Sequence, residues 1–323
     1  MATADEWTVI PTAAGELRAL IQVPESAAGP LPGVVLVDGS GDGACDDWGE
    51  WPGRFADCGA VVLTHDKPGC GGSPGDWTTQ SFADRAHESL AALNVLRDQP
   101  TVAGRPIGLL GFSQGGWVSL LAATLQENKV DFVVSLSGPG VGPAEQDRYR
   151  IERELRTRGT SEEDLAEALE WIDERARRML AGENVAEVLA DQERLSDRAW
   201  YAGATQYFDN PLALGFLARN LDFDPVPVLR QVSCPVLALF GGDDTLVPVA
   251  DSVVAYATHL RALPESPHGI AVFPGADHGL FTADPDPAVA RTDQLAAGFL
   301  PMVAGFYAAA ARNGGRQPQP VAT

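Results

Sequence analysis

The chain has 323 residues, more than one compact domain usually holds, so the sequence implies one large core with a substantial insertion, or two domains. With 45% hydrophobic and 21% charged residues it has the make-up of a globular protein, far from disordered or collagen-like extremes. A formal charge of −21 repels phosphate backbones and anionic lipid head groups, which argues against nucleic acid and membrane surfaces as partners.

Residues Met1 to Thr12 show neither a basic n-region nor a continuous apolar h-region, so no secretory signal is expected. No apolar run reaches membrane-spanning length. Cys45, Cys58, Cys70 and Cys234 are widely spaced and form no CxxC pair, a pattern that fits reduced thiols in a cytoplasmic protein better than a disulfide framework or a zinc site.

In chain order, Trp7 to Ile10 and Glu16 to Val23 alternate weakly around an Ala-Ala-Gly turn and predict an antiparallel hairpin at a sheet edge. Continuous apolar runs follow at Gly33 to Val37, Ala60 to Thr64, Pro106 to Leu110, Asp131 to Leu136, Cys234 to Phe240 and Gly269 to Phe273, the signature of strands buried on both faces. Helical patterns at Phe82 to Asp98, Gly115 to Gln126 and Ala288 to Arg312 separate several of them. In the last, Leu295, Phe299, Met302 and Phe306 are expected to share a face. This alternation predicts an α/β fold with a doubly wound, mostly parallel sheet. It stops between about Pro143 and Pro225, where the sequence turns charged and helical. Thr160 and Glu163 offer a capping box, and Leu165, Leu169, Ile172, Ala176 and Met179 form an apolar stripe. The expected organisation is a core at residues 1–142 and 226–312, an inserted helical lid at 143–225, and a disordered tail at 313–323.

The chemistry concentrates at three points. Gly111-Phe-Ser-Gln-Gly115 places G-x-S-x-G between an apolar strand and an apolar helix, the context of a nucleophile elbow, with Ser113 raised above the sheet. A serine hydroxyl needs a base, and the base an orienting carboxylate. Gly241-Gly-Asp-Asp-Thr-Leu-Val-Pro248 and Pro274-Gly-Ala-Asp-His-Gly279 both follow strands and supply Asp244 and His278, with Asp243 and Asp277 as competing acids.

The order Ser113, Asp244, His278, together with these motifs, resembles the α/β-hydrolase superfamily over residues 33–140 and 234–279. The resemblance favours Asp244, fourth in a G-x-x-D-x-x-V-P turn, over Asp243. It marks Asp66-Lys-Pro-Gly-Cys-Gly-Gly-Ser73 as a structural turn. It also implies an oxyanion hole from the backbone N–H groups of Gln114 and Ser40, the latter in Asp38-Gly-Ser-Gly41, where Asp38 replaces a common His. The elbow is similar to that of small carboxylesterases and acyl-protein thioesterases, which lack a long lid.

The expected activity is therefore hydrolysis of an ester or thioester of a small to medium, partly apolar acyl substrate. Acyl transfer, cyclisation, C–C or peptide hydrolysis by the same triad, or an idle fold that only binds, stay open at this level. Trp200, Tyr201, Tyr207 and Phe208 are the candidate substrate-binding residues of the lid. No cofactor or metal is expected: His65, His87, His259 and His268 form no ligand spacing, and of these only His65 lies near the sheet's carboxyl edge. The sequence does not fix the oligomeric state.

Overall fold

The computed structural model describes residues 3–125, 129–263, 268–282 and 286–314. Eight strands form one sheet: β1 (Thr3–Thr12), β2 (Gly15–Pro24), β3 (Gly33–Val37), β4 (Val61–His65), β5 (Ile107–Phe112), β6 (Val133–Leu136), β7 (Val236–Gly241) and β8 (Gly269–Phe273). Their order is β1-β2-β4-β3-β5-β6-β7-β8. The β1–β2 hairpin pairs antiparallel with β4, while β3 to β8 run parallel.

Because successive side chains on a strand point to opposite faces, the sheet feeds two cores. Val35 and Leu109 pack with Trp117 on one face, and Val34 and Leu110 pack with Phe132 and Tyr307 on the other. Helices α1 (Trp51–Asp57), α2 (Phe82–Arg97), α3 (Gln114–Ala122), α10 (Val249–His259) and α11 (Phe299–Gly314) cover the two faces. This burial on both sides explains the unbroken apolar runs of β3 to β7, whereas the run at Gly269–Phe273 is corrected: β8 lies at the sheet edge, is only partly buried, and leaves Val272 41% exposed.

Six helices lie between β6 and β7: α4 (Pro143–Thr157), α5 (Glu162–Leu180), α6 (Val185–Glu193), α7 (Tyr201–Thr205), α8 (Pro211–Asn220) and α9 (Pro225–Gln231). They have small cores of their own, one built on Ile151, Leu165, Ile172 and Trp200, another on Met179, Val188 and Leu214. Of the apolar stripe of α5, Leu165, Leu169, Ile172 and Met179 are buried and Ala176 half-buried, and Arg175 is buried among them. The helix is capped by Ser161, whose side chain accepts from Asp164 N–H at 3.1 Å, one residue later than the Thr160–Glu163 box.

Two helical expectations are corrected. α3 ends at Ala122 rather than Gln126, which lies outside the described residues. The helix expected from Ala288 begins only at Phe299. Gly298 has φ 87, which breaks the helical path. Upstream of it, Leu295 bridges Phe281, and Ala296 N–H donates to Leu280 O at 2.8 Å. The buried face is then Phe299, Val303 and Tyr307, spaced by four, and Met302 is 40% exposed. Of the tail, residues 315–323 lie outside the described residues, and Gly314 completes α11. No helix among the described residues is long and apolar enough to cross a membrane.

Candidate active site

β5 passes into α3 through a single residue, Ser113, at φ 53 and ψ −120. A non-glycine residue there costs roughly 1–3 kcal/mol and persists only where its surroundings hold it. Here Ser113 N–H donates to Leu136 O at 2.8 Å, and its own carbonyl accepts from Gly116 N–H at 2.8 Å. A Cβ at Gly111 would collide with the Gly115 carbonyl, and one at Gly115 with the Val37 carbonyl. The two glycines of the motif are thus required by close approach of backbone.

Asp244 lies in the turn after β7 and is 3% exposed. Its Oδ1 accepts Leu246 N–H at 2.7 Å and Val247 N–H at 3.0 Å, and its Oδ2 lies 2.7 Å from Nδ1 of His278, in the turn after β8. A carboxylate against Nδ1 keeps the proton there and leaves Nε2 as the basic nitrogen. The competing acids point elsewhere: Asp243 is exposed, and Asp277 accepts Gly279 and Phe281 N–H groups and pairs with Arg291. Two further contacts hold the imidazole beside the elbow. The Phe112 ring lies 5.2 Å from the His278 ring, and Ser137 Oγ donates to His278 O at 2.8 Å.

The loop after β3 passes the elbow closely enough that a Cβ on Gly39 would lie 3.4 Å from Ser113 Cβ. Gly39 N–H is taken by Asp38 Oδ1 at 2.7 Å. Among the described residues Ser40 N–H and Gln114 N–H have no hydrogen-bond partner, and both residues line a cavity of about 460 Å³ together with Ser113.

Sequence reasoning missed the cations that hold this loop. Buried Lys67 donates from Nζ to Gly39 O at 2.7 Å and to Gly41 O, and sits 3.6 Å from Asp38. Burial, followed by the neighbouring Arg85 charge, pushes its pKa down to about 7. Arg85 donates to Asp38 O at 2.7 Å and to the Gln114 side chain, tying the loop that carries Ser40 and the first residue of α3 to one guanidinium. The available signals were Lys67 directly after Asp66 in the glycine-rich turn and a lone arginine on the buried side of α2. That turn is structural: Asp66 accepts from Ser73 Oγ and Cys45 N–H, both at 2.7 Å. Cys45, Asp46 and Asp66 approach one another within 4.8 Å, but Arg18 already pairs with all three.

The structure divides the four aromatic candidates. Tyr207 and Phe208 line the cavity with Ser113. Trp200 is fully buried in the core between α4 and α5, where its Nε1 donates to Glu167 at 3.0 Å, and Tyr201 packs against the same cluster. Trp77, Phe82, Trp117 and Phe216 complete the apolar wall. His65 is not among the lining residues; its Nδ1 lies 2.9 Å from Asp66 O.

Residues 32–292 match the Alpha/beta hydrolase family. An uncharacterized 31.7 kDa protein of the traX-finO intergenic region of Escherichia coli is 25% identical over 211 residues, covering 62% of this chain and 68% of that one. The crystal structure of a 2,6-dihydroxy-pseudo-oxynicotine hydrolase aligns with a TM-score of 0.59 at 17% identity, over 98% of this chain and 71% of that one. Est1E from Butyrivibrio proteoclasticus, solved with ferulic acid bound, aligns with a TM-score of 0.53 at 15% identity, over 93% and 96%. With the family match spanning most of its length, the chain belongs to the alpha/beta hydrolase family.

Proposed function

We propose that this hydrolase is a serine esterase or thioesterase acting on a small to medium, partly apolar acyl substrate. The observation that carries the reading is the 2.7 Å contact between Asp244 Oδ2 and His278 Nδ1, with the His278 ring 5.2 Å from that of Phe112, the residue before a serine held at a strained elbow. His278 Nε2 takes the proton of Ser113 as its Oγ attacks the acyl carbonyl. The tetrahedral oxyanion is stabilised by Ser40 and Gln114 N–H groups, and His278 then protonates the leaving group. Water enters and, with His278 again as base, releases the acid and restores the serine.

The helices at 143–225 act as a lid that shapes the acyl site, since Tyr207, Phe208 and Phe216 line the same cavity as Ser113. A wall rich in aromatic side chains favours an apolar acyl chain over a peptide backbone, whose amides would lose their hydrogen bonds to water. The free cysteines fit a reducing compartment such as the cytoplasm.

A fluorophosphonate probe followed by peptide mass mapping tests the nucleophile. Labelling confined to Ser113 is the expected result; an unlabelled protein, or one labelled elsewhere, would sink the assignment. A panel of acyl esters and acyl-CoA thioesters then identifies the bond cleaved.

A further inference from the structure

The lid carries a buried charge imbalance that opens onto the catalytic cavity. On α4, Asp147 and Arg150 both line that cavity, and Arg150 Nη2 donates to Asp147 Oδ1 at 2.8 Å. The other oxygen of Asp147 accepts from Arg175 Nη2 at 2.6 Å. Arg175 also donates to the Gln192 amide oxygen at 3.0 Å, a neutral partner. All three ionic side chains are at least nine-tenths buried: Asp147 is 3%, Arg150 8% and Arg175 1% exposed. Two guanidinium groups thus share one carboxylate, and one positive charge is left over.

Of the two guanidinium groups, Arg150 lines the cavity and Arg175 does not. Arg150 Nη1 is buried and has no hydrogen-bond partner among the described residues. Such a group is costly unless something occupies it. Four of the other polar side chains at this wall are already engaged, Asp42 by accepting from Trp77 Nε1 at 2.8 Å. Gln146 donates to Leu246 O, Asn220 accepts from Phe82 N–H and donates to Gln80 O, and Gln114 accepts from Arg85. The Arg150 guanidinium carbon lies 4.5 Å from the centroid of the Tyr207 ring, a cation–π contact at the same wall.

We propose that Arg150 recognises a carboxylate at the end of the acyl chain remote from the scissile bond, so that the preferred substrate is a half-ester or half-thioester of a dicarboxylic acid. This rests on the esterase reading above for the identity of the reacting bond. A monoanion neutralises the single surplus charge. A phosphate dianion would overshoot it and be repelled by Asp147, and a neutral methyl end would leave Nη1 unpaired. The apolar wall then accommodates the methylenes between the two acyl ends.

The test compares p-nitrophenyl hexanoate with mono-p-nitrophenyl adipate, which have acyl chains of equal length and differ in the terminal carboxylate. Succinate, glutarate and suberate half-esters vary the reach. Wild-type protein is expected to favour a charged ester in kcat/KM by ~10-fold or more, and Arg150→Met to reduce that preference by ~30-fold or more. Arg150→Lys should restore part of it. Equal preference in wild type and Arg150→Met would overturn the proposal. A second arm does not depend on turnover: calorimetric binding of free adipate and its homologues to Ser113→Ala, and its loss in Ser113→Ala/Arg150→Met. If wild type cleaves no ester, the esterase reading falls, while dicarboxylate binding lost with Arg150 still upholds the carboxylate site. Absence of any dicarboxylate binding, or binding that survives Arg150→Met, refutes it. Asp147 keeps Arg175 as a partner in the variant, so the substitution strands no charge.

Discussion

The hydroxyl of Tyr149 on α4 donates to the main-chain carbonyl of Asp244 at 3.2 Å, and Gln146 on the same helix donates to Leu246 O at 2.7 Å. Helix α4 is therefore fastened to the turn that carries Asp244, the carboxylate facing His278. Tyr149→Phe should lower stability by ~0.5–1.5 kcal/mol, the net worth of one hydrogen bond. It should reduce kcat up to ~10-fold for every ester alike, because it loosens the acid rather than the acyl site. Steady-state kinetics over a chain-length series checks this; a changed chain-length preference would show instead that Tyr149 shapes the pocket.

Ser113→Ala and His278→Ala should each reduce turnover by ~10⁴-fold or more, with little further loss in the double variant. Asp244→Asn removes the charge that fixes the imidazole tautomer and should cost ~10⁴-fold as well. Losses that multiply in the double variant would indicate independent roles and contradict a triad.

At Gly115 the added methyl of alanine would meet the Val37 carbonyl, at the mouth of the oxyanion loop. Gly115→Ala should destabilise the fold by ~1–3 kcal/mol and lower kcat by ~100-fold through misplacement of Ser113. Gly215, in α8, has nothing within 4 Å of such a methyl. Its replacement by alanine should stabilise by ~0.4–1 kcal/mol. Denaturant melts of the two variants give opposite signs if the steric account holds.

Phe208 and Trp200 should separate specificity from stability. Phe208→Ala, at the cavity, should shift the long-against-short acyl preference by ~1–3 kcal/mol. Trp200→Ala, in the lid core, should cost ~3–5 kcal/mol of stability with a uniform effect on substrates. The reverse pattern in kinetics and melting would mean that the lid packs differently.

Glu88, on α2, accepts from Gln80 Nε2 at 2.7 Å, and burial raises its pKa from 4.5 to about 7. The folded protein holds a proton between those values that the unfolded chain releases. Its contribution is therefore fully present below 4.5 and lost as pH rises through 7. Glu88→Gln cannot ionise, so its melting temperature should rise relative to wild type as pH increases over this window. A difference between the two proteins that stays constant from acid to neutral pH would rule this out.

Much of this protein was legible in its sequence because local rules carried the information. Continuous apolar runs marked β3 to β7 as strands buried on both faces, and Gly111-Phe-Ser-Gln-Gly115 at a strand-to-helix junction marked the elbow, since only glycine tolerates the approach of the Gly115 and Val37 carbonyls. Asp244 and His278 were named because each follows a strand of the parallel sheet, whose carboxyl ends converge. The choice of Asp244 over Asp277 became a contact only in three dimensions, where Asp277 turns to Arg291 and Asp244 faces His278. Lys67, Arg85, Asp147, Arg150 and Arg175 escaped notice for a common reason. Their burial comes from packing between segments far apart in the chain, which local sequence does not report. The same holds for the aromatic candidates: Trp200, Tyr201, Tyr207 and Phe208 look alike in sequence. The way α4, α5 and α8 pack decided that the first two serve the core of the helices between β6 and β7 and the last two face the cavity.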